Sequence, residues 1–159
     1  MTIHRLKIGL QLGAAIAALG AAATAWAGEC PAASMRADAR AMGETMPKGV
    51  TDNVLSAIAL GDQIGVGGRQ LRLRKLVVQP GGVVPWHSHT DRPALIITIE
   101  GSITEYRSTC TVPIEHPAGD VAREVKGVSH WWRNNTKQPA ELLSADVKAD
   151  DAPKASDHM

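Results

Sequence analysis

Three histidines are placed so that their side chains can share one ligand. His87 and His89 are separated by a single residue in a segment with the composition of an extended strand. Because side chains two residues apart on a strand point to the same face, both imidazoles are predicted to lie on one side of the sheet. His130 lies in a later segment of the same kind. The spacing therefore favours a divalent metal held by three imidazoles, which suit iron, zinc, copper and nickel.

Three further residues are candidates to line a small-molecule pocket beside these histidines. By alternation Trp132 shares the face of His130, Arg92 follows the histidine pair in a turn, and Tyr106 carries a hydroxyl. The guanidinium of Arg92 suits a carboxylate or phosphate. The alternatives are core packing for Trp132 and a solvated turn for Arg92.

Short runs rich in Val, Ile and Leu must position these side chains. They alternate with Gly, Pro, Asn and Asp clusters at intervals of about ten residues, which is typical of an antiparallel sandwich or barrel. The predicted strands are 54–60, 70–78, 83–87, 94–100, 102–109, 121–125, 129–133 and 140–147, with a turn at 80–82. Two other histidines, His116 in a loop and His158 in the tail, are interpreted as exposed to solvent.

Composition excludes several classes of protein. The chain has 159 residues, of which 44% are hydrophobic and 21% charged, which indicates roughly one globular domain. It contains no Phe, so Val, Ile, Leu and Ala must fill the core. The net charge of +1, without a basic stripe, argues against a nucleic-acid partner. No P-loop, dinucleotide fingerprint or G-x-S-x-G motif occurs.

The first 27 residues have the features of a secretory signal peptide. A short basic stretch precedes an apolar run from Ile8 to Ala25, and small residues flank Trp26 at the A-x-A positions. The alternative is a single membrane-spanning anchor. Cleavage after Ala27 would leave no membrane anchor and would make the protein periplasmic or secreted.

The predicted export affects how the two cysteines are interpreted. Cys30 and Cys110 are the only cysteines, and an even pair in an exported protein predicts a disulfide. Two free thiols are the alternative.

After the signal peptide at 1–27, we expect an N-terminal arm at 28–53, a β-barrel domain at 54–148 and a flexible tail at 149–159.

The residues around the histidines resemble the two motifs of the cupin superfamily. Gly81, His87, His89, Ala94 and Gly101 follow the first motif, G-x5-H-x-H-x3/4-E-x6-G. The second motif, G-x5-P-x-G-x2-H-x3-N, is matched by Gly119, Val125, Gly127, His130 and Asn134. The resemblance implies an all-β jelly-roll barrel with a metal in its mouth. It also implies that a homodimer is plausible.

Two positions depart from the motifs, and one of them affects the metal. Val125 replaces a proline, which is structurally mild, but Ala94 replaces a glutamate that is usually a ligand. Glu100 is too far along its strand to substitute for it. Asp91 would need a turn to bring it in, and Glu105 would need an inward register. The simplest interpretation is a site of three histidines with open positions, at which the metal keeps its full +2 charge.

Two functions remain open at this point. One is metal-dependent chemistry on a small molecule, through Lewis-acid polarisation of an oxygen or, with iron, oxygenase chemistry. The other is a non-catalytic periplasmic module that binds or senses a small ligand, with a structural metal or none. The residues do not choose among iron, zinc, manganese and nickel, and no residue stands out as a general base.

Overall fold

The computed structural model describes residues 28–150. The expected signal peptide and most of the expected flexible tail lie outside the described residues, so both stay predictions. Between residues 28 and 150, none of the helices combines the length and the apolar character needed to cross a membrane.

The regular structure of the described chain is mostly strand, in agreement with the predicted all-β class. The strands are β1 (Lys48–Ala59), β2 (Arg69–Ser88), β3 (Ala94–Glu100), β4 (Ser102–Arg107), β5 (Ile114–Pro117), β6 (Val121–Glu124), β7 (Ser129–Arg133) and β8 (Ala140–Ala149). A single turn of helix, α1 (Gly61–Ile64), joins β1 to β2, and a short 3-10 helix (Ala32–Ser34) lies near the start.

The strands form one antiparallel sheet that curls into a nearly closed barrel. Its order is β5-β4-β7-β2-β8-β3-β6, and β1 pairs with the outer part of β2. The two ends of this order are joined by the tight turn around Gly119, whose backbone N–H donates to the Thr98 carbonyl at 2.8 Å. This is the jelly-roll barrel implied by the resemblance.

Strand β2 is long enough to pair with three other strands. Its first half pairs with β1 and β8, and its second half pairs with β7. The turn predicted at 80–82 is instead a bend within one continuous strand, with Gly81 in the left-handed region at φ 71°. The bend turns the chain so that His87 pairs directly with His130 of β7.

Two strands differ from the predicted pattern at positions where proline obscures it. Strand β5 is missing from that pattern, because its four residues end in Pro117 and follow Pro113. Strand β1 begins at Lys48, directly after Pro47, and so includes residues that the sequence pattern assigns to the arm.

The remaining part of the arm is attached to the outside of the barrel. The predicted disulfide between Cys30 and Cys110 is present. Backbone hydrogen bonds extend this contact, from Arg36 N–H to the Thr109 carbonyl at 3.2 Å and from Arg40 N–H to the Ser108 carbonyl at 3.1 Å. The arm therefore covers the outer side of the segment that follows β4.

The interior of the barrel is divided into an apolar half and a polar half. The apolar half is the main core and consists of Leu76, Val78, Ala94, Ile96, Ile103, Ala122, Trp132, Ala140 and Leu142. Buried polar and charged side chains fill the other half: His89, His130, Glu105, Glu124, His116, Arg74, Ser144 and Asp146. Buried charges require paired partners, so the polar half is the place to look for a functional site.

Candidate metal centre

The structure brings the three predicted histidines together at one point. His87 lies near the end of β2, His89 follows directly after that strand, and His130 lies on β7. Their Nε2 atoms are 3.0 Å apart for His87–His89 and His89–His130, and 3.1 Å apart for His87–His130. His89 and His130 are buried, whereas His87 is half-buried. The site is therefore open to solvent on the side of His87.

The contacts of the Nδ1 atoms determine which nitrogen of each ring carries the proton and which carries a lone pair. Nδ1 of His87 lies 2.8 Å from the Pro85 carbonyl oxygen, and Nδ1 of His89 lies 2.7 Å from the Arg92 carbonyl oxygen. A carbonyl oxygen only accepts hydrogen bonds, so each Nδ1 carries the proton. The two Nε2 atoms consequently present lone pairs, and their short separation is not a hydrogen bond.

The third ring is fixed by a carboxylate. Oε1 of Glu105 lies 2.6 Å from Nδ1 of His130. Burial raises the pKa of Glu105, but hydrogen bonds from His116 and His130 outweigh it and hold that pKa below its usual range. The carboxylate is therefore ionised and accepts the Nδ1 proton, so Nε2 of His130 also presents a lone pair.

Electrostatics keeps two of these ligands neutral. Burial, together with the neighbouring His130, lowers the pKa of His87 to about 4 and that of His89 to about 3. Neutral imidazole is the form that binds metal. Three lone pairs 3.0–3.1 Å apart can be equidistant from one ion at the metal–imidazole distance of about 2.1 Å. The donor set thus fits a divalent metal.

A second carboxylate lies beside Glu105. Oε2 of Glu124, on β6, is 3.4 Å from Nδ1 of His130, and Glu124 is completely buried. Arg107 links the two acids, with Nε 2.8 Å from Oε1 of Glu105 and a terminal nitrogen 3.2 Å from Oε1 of Glu124. Burial raises the pKa of Glu124. Sequence reasoning considered Glu105 as a replacement ligand, but the structure places it behind His130.

His116 corrects an expectation from the sequence. It is 1% exposed instead of solvated, because β5 turns it into the barrel. Its Nε2 lies 3.0 Å from Oε2 of Glu105, its Nδ1 lies 3.0 Å from Oδ2 of Asp120, and its ring stacks on Trp132. A continuous set of contacts therefore runs from His130 through Glu105 and His116 to Asp120. The interior alternation of β5 was the available signal, and the flanking prolines hid it.

A second charged group lies on the other side of the polar half. Asp146 is buried and lies within 2.8–3.4 Å of Arg72, Arg74 and Arg92, and Arg74 also contacts Asp52. Three guanidinium groups thus surround the Asp146 carboxylate. Arg92 and Arg74 are near enough to His87 to lower its pKa by their charge.

The three candidate pocket residues are in different places. Trp132 lies in the interior, where its ring meets that of His130 edge-on, with ring centroids 5.5 Å apart. Arg92 contacts the centre through its carbonyl oxygen, while its side chain binds Asp146. Tyr106 stacks on Trp131, with ring centroids 4.1 Å apart. Its strand neighbour Glu105 points inward, so Tyr106 faces the outside of the barrel, away from the three histidines.

Ala94 also faces the interior, with an acid on each side. Its register partner on β8 is Asp146 and its register partner on β6 is Glu124. All three side chains are buried, at 7%, 1% and 0% exposure. The position at which the motif has a glutamate therefore lies between two carboxylates supplied by neighbouring strands.

A small jelly-roll barrel with three converging histidines defines a class of metal-site β-barrels. Residues 74–146 match the model of the family described as Cupin domain. Over these residues the chain is similar to the cupin superfamily, which agrees with the resemblance of its two motifs.

Comparison with a curated protein supports the same family. The chain is 28% identical over 104 residues to germin-like protein subfamily 2 member 1 of Arabidopsis thaliana. This match covers 61% of this chain and 48% of the relative. The chain thus spans about half the length of that relative.

Similarity to solved structures concerns the fold. An oxalate oxidase in complex with the substrate analogue glycolate superimposes with a TM-score of 0.50 at 16% identity, over 70% of this chain and 57% of that one. The protein TT1209 from Thermus thermophilus gives 0.50 at 17% identity, over 68% of this chain and 90% of that one. A double-stranded β-helix protein from Klebsiella pneumoniae gives 0.50 at 17% identity, over 71% and 84%.

Proposed function

We propose that this protein is an exported cupin that binds one divalent metal through His87, His89 and His130 and presents it to a small anionic molecule. One observation carries the proposal. Three Nε2 atoms meet within 3.1 Å, and the contacts of the opposite Nδ1 atoms assign a lone pair to each of them. Such an arrangement is repulsive by itself, and a shared cation stabilises it.

The protein's own residues would prepare the site in three ways. Glu105 and two backbone carbonyls orient the imidazole rings, as outer contacts of metal-binding histidines generally do. The half-buried side at His87 gives access. The guanidinium groups of Arg74 and Arg92, whose charge acts on His87, favour an anion at this side. The metal, when bound, would supply Lewis-acid polarisation of an oxygen on the ligand.

A small carboxylate is the ligand class that these charges favour. Neutral ligands leave the metal with its full +2 charge, and the guanidinium groups of Arg74 and Arg92 lie near His87. One similar fold, the oxalate oxidase, was solved with glycolate bound. Iron, zinc, manganese and nickel remain candidates, and either turnover or simple binding would use this arrangement.

Metal content tests the proposal directly. Protein exported to an oxidising compartment and purified without an affinity tag would be measured by mass spectrometry for bound metal. We expect near-stoichiometric metal in the wild type and in His158→Ala, and loss of it in His87→Ala and His130→Ala. A wild type that stays free of metal after reloading would contradict the three-histidine site.

Turnover separates the two open functions. Metal-loaded wild type and His130→Ala would be incubated with a panel of small carboxylates, and both substrate loss and binding would be followed. Consumption that depends on His130 would establish an enzyme. Stoichiometric, metal-dependent binding without consumption would establish the binding or sensing module.

Export is the proposed location, to the periplasm or the outside of the cell. The Cys30–Cys110 disulfide supports it, because structural disulfides persist mainly in oxidising compartments. The intact mass of the exported protein should correspond to a chain that begins at Gly28. Retention of residues 1–27 in the mature protein would contradict cleavage.

A further inference from the structure

From the structure we infer that Glu124 provides, from strand β6, the interior carboxylate that the cupin motif places at position 94 on strand β3. The inference rests on the proposed metal site and identifies a residue that serves it. Position 124 is one of the unspecified positions of the second motif, so the sequence pattern alone does not point to it.

The first argument is the register between the two strands. Ala94 and Glu124 are direct partners in the antiparallel pairing of β3 with β6, and both side chains are buried in the interior. Directly opposite side chains have Cβ atoms about 5 Å apart. A glutamate at either position therefore directs its carboxylate into the same part of the barrel. The small side chain of Ala94 leaves that volume to Glu124.

The second argument is an unfilled acceptor. Oε1 of Glu124 is bound by Arg107, but Oε2 is buried and has no hydrogen-bond partner. This oxygen lies 3.4 Å from Nδ1 of His130. Buried carboxylate oxygens without a partner are unfavourable, so such an atom in a polar cavity points to a missing partner. A water held between this oxygen and the ion of the adjacent centre would be such a partner.

The third argument is charge balance. Glu105 and Glu124 share the single guanidinium of Arg107, so one negative charge is left over on the inner side of His130 whenever both acids are ionised. The three histidine ligands bring no charge of their own. An ionised carboxylate on Glu124 therefore compensates part of the +2 charge of the metal, as a glutamate ligand at position 94 would.

Moving the carboxylate between the strands tests this inference. Metal affinity would be measured by competition with a chelator for the wild type, Glu124→Ala, Ala94→Glu and the double variant. We expect Glu124→Ala to weaken binding by about 10-fold, the range found when outer contacts of a metal site are removed. We expect the double variant to recover to within about threefold of the wild type.

The single variant Ala94→Glu provides a second readout that needs no activity. It would place three carboxylates side by side on β8, β3 and β6, and like charges directly opposite each other are destabilising. Without metal, its melting temperature should lie below that of the wild type and of the double variant. Glu124→Gln, which preserves the shape, controls for packing and should still lose affinity.

Two results would overturn the inference. One is wild-type affinity in folded Glu124→Ala and Glu124→Gln. The other is a double variant no tighter than Glu124→Ala. Failure of the proposed function would look different, because His130→Ala would then bind metal as tightly as the wild type.

Discussion

The carboxylate of Glu105 lies 2.6 Å from His130 on one side and 3.0 Å from His116 on the other. A single buried acid on β4 thus connects a candidate metal ligand on β7 to a second histidine on β5. The contact fixes the proton of His130 on Nδ1 and so leaves Nε2 free for metal. The orientation of the site depends on residues that lie outside both sequence motifs.

Removing the support behind Glu105 should weaken metal binding without removing a ligand. In His116→Leu, Glu105 loses a hydrogen bond and is less firmly held against His130. We expect metal affinity to fall by about 10-fold in chelator competition. His116→Gln keeps an N–H donor of similar reach and should retain most of the affinity. Equal affinity in the Leu variant and the wild type would show that Glu105 needs no second contact.

Asp146 should stabilise the fold in a pH-dependent way. Burial raises its pKa, but hydrogen bonds from Arg72 and the charge of Arg74 outweigh this effect and lower it. A lowered folded-state pKa contributes stability above the unfolded value of about 3.9, and that contribution is lost as pH falls through the folded value.

The matching variant is Asp146→Asn, which leaves the arginines without their shared acid. We expect a loss of about 3 kcal/mol in unfolding free energy at pH 7, the size found when one member of a buried ion pair is removed. Urea unfolding at pH 7 and at several values below pH 4 measures it. The difference from the wild type should shrink towards acid pH, and a constant difference would contradict the ionic origin.

The Cys30–Cys110 disulfide should stabilise the fold without affecting the metal centre. The two cysteines are 80 residues apart, so the bond restricts a long loop of the unfolded chain. Replacing both by serine should lower the unfolding free energy by about 4 kcal/mol. Metal affinity of the folded variant should be unchanged, because the arm contacts the outer side of the barrel. A coupled loss of metal affinity would show that the arm supports the site.

The homodimer expected from the resemblance remains a prediction, and the outer side of β1 and β2 is where we place it. Ile58 and Leu71 are register partners and are 50% and 41% exposed, and nearby Leu73 is 37% exposed. Within residues 28–150, β1 pairs only with β2, so its other edge is available to a second copy.

Light scattering coupled to size exclusion tests this arrangement. We expect a dimer for the wild type and a shift towards monomer for Ile58→Asp. Val125→Asp, at an equally exposed apolar position after β6, is the matched control and should stay dimeric. A monomeric wild type at micromolar concentration would contradict the prediction.

Alternation along single strands explains what could be predicted about the site. The two-residue spacing of His87 and His89 placed both on one face, and alternation on β7 placed His130 and Trp132 together. The assignment of Cys30 and Cys110 to one disulfide needed only their number and the predicted export. Each of these inferences used local geometry or counting, for which one stretch of chain is sufficient.

Pairing between strands decided the rest, because it depends on register and on where the sheet closes. Local pattern and motif spacing were sufficient to predict the all-β barrel, the three histidines and the absence of an acid at position 94. The folded chain was needed to find that Glu124 lies opposite Ala94 and that Glu105 faces His130. The reason is physical: alternation defines the face of each residue, but a shift by one residue in pairing moves every side chain to the other face.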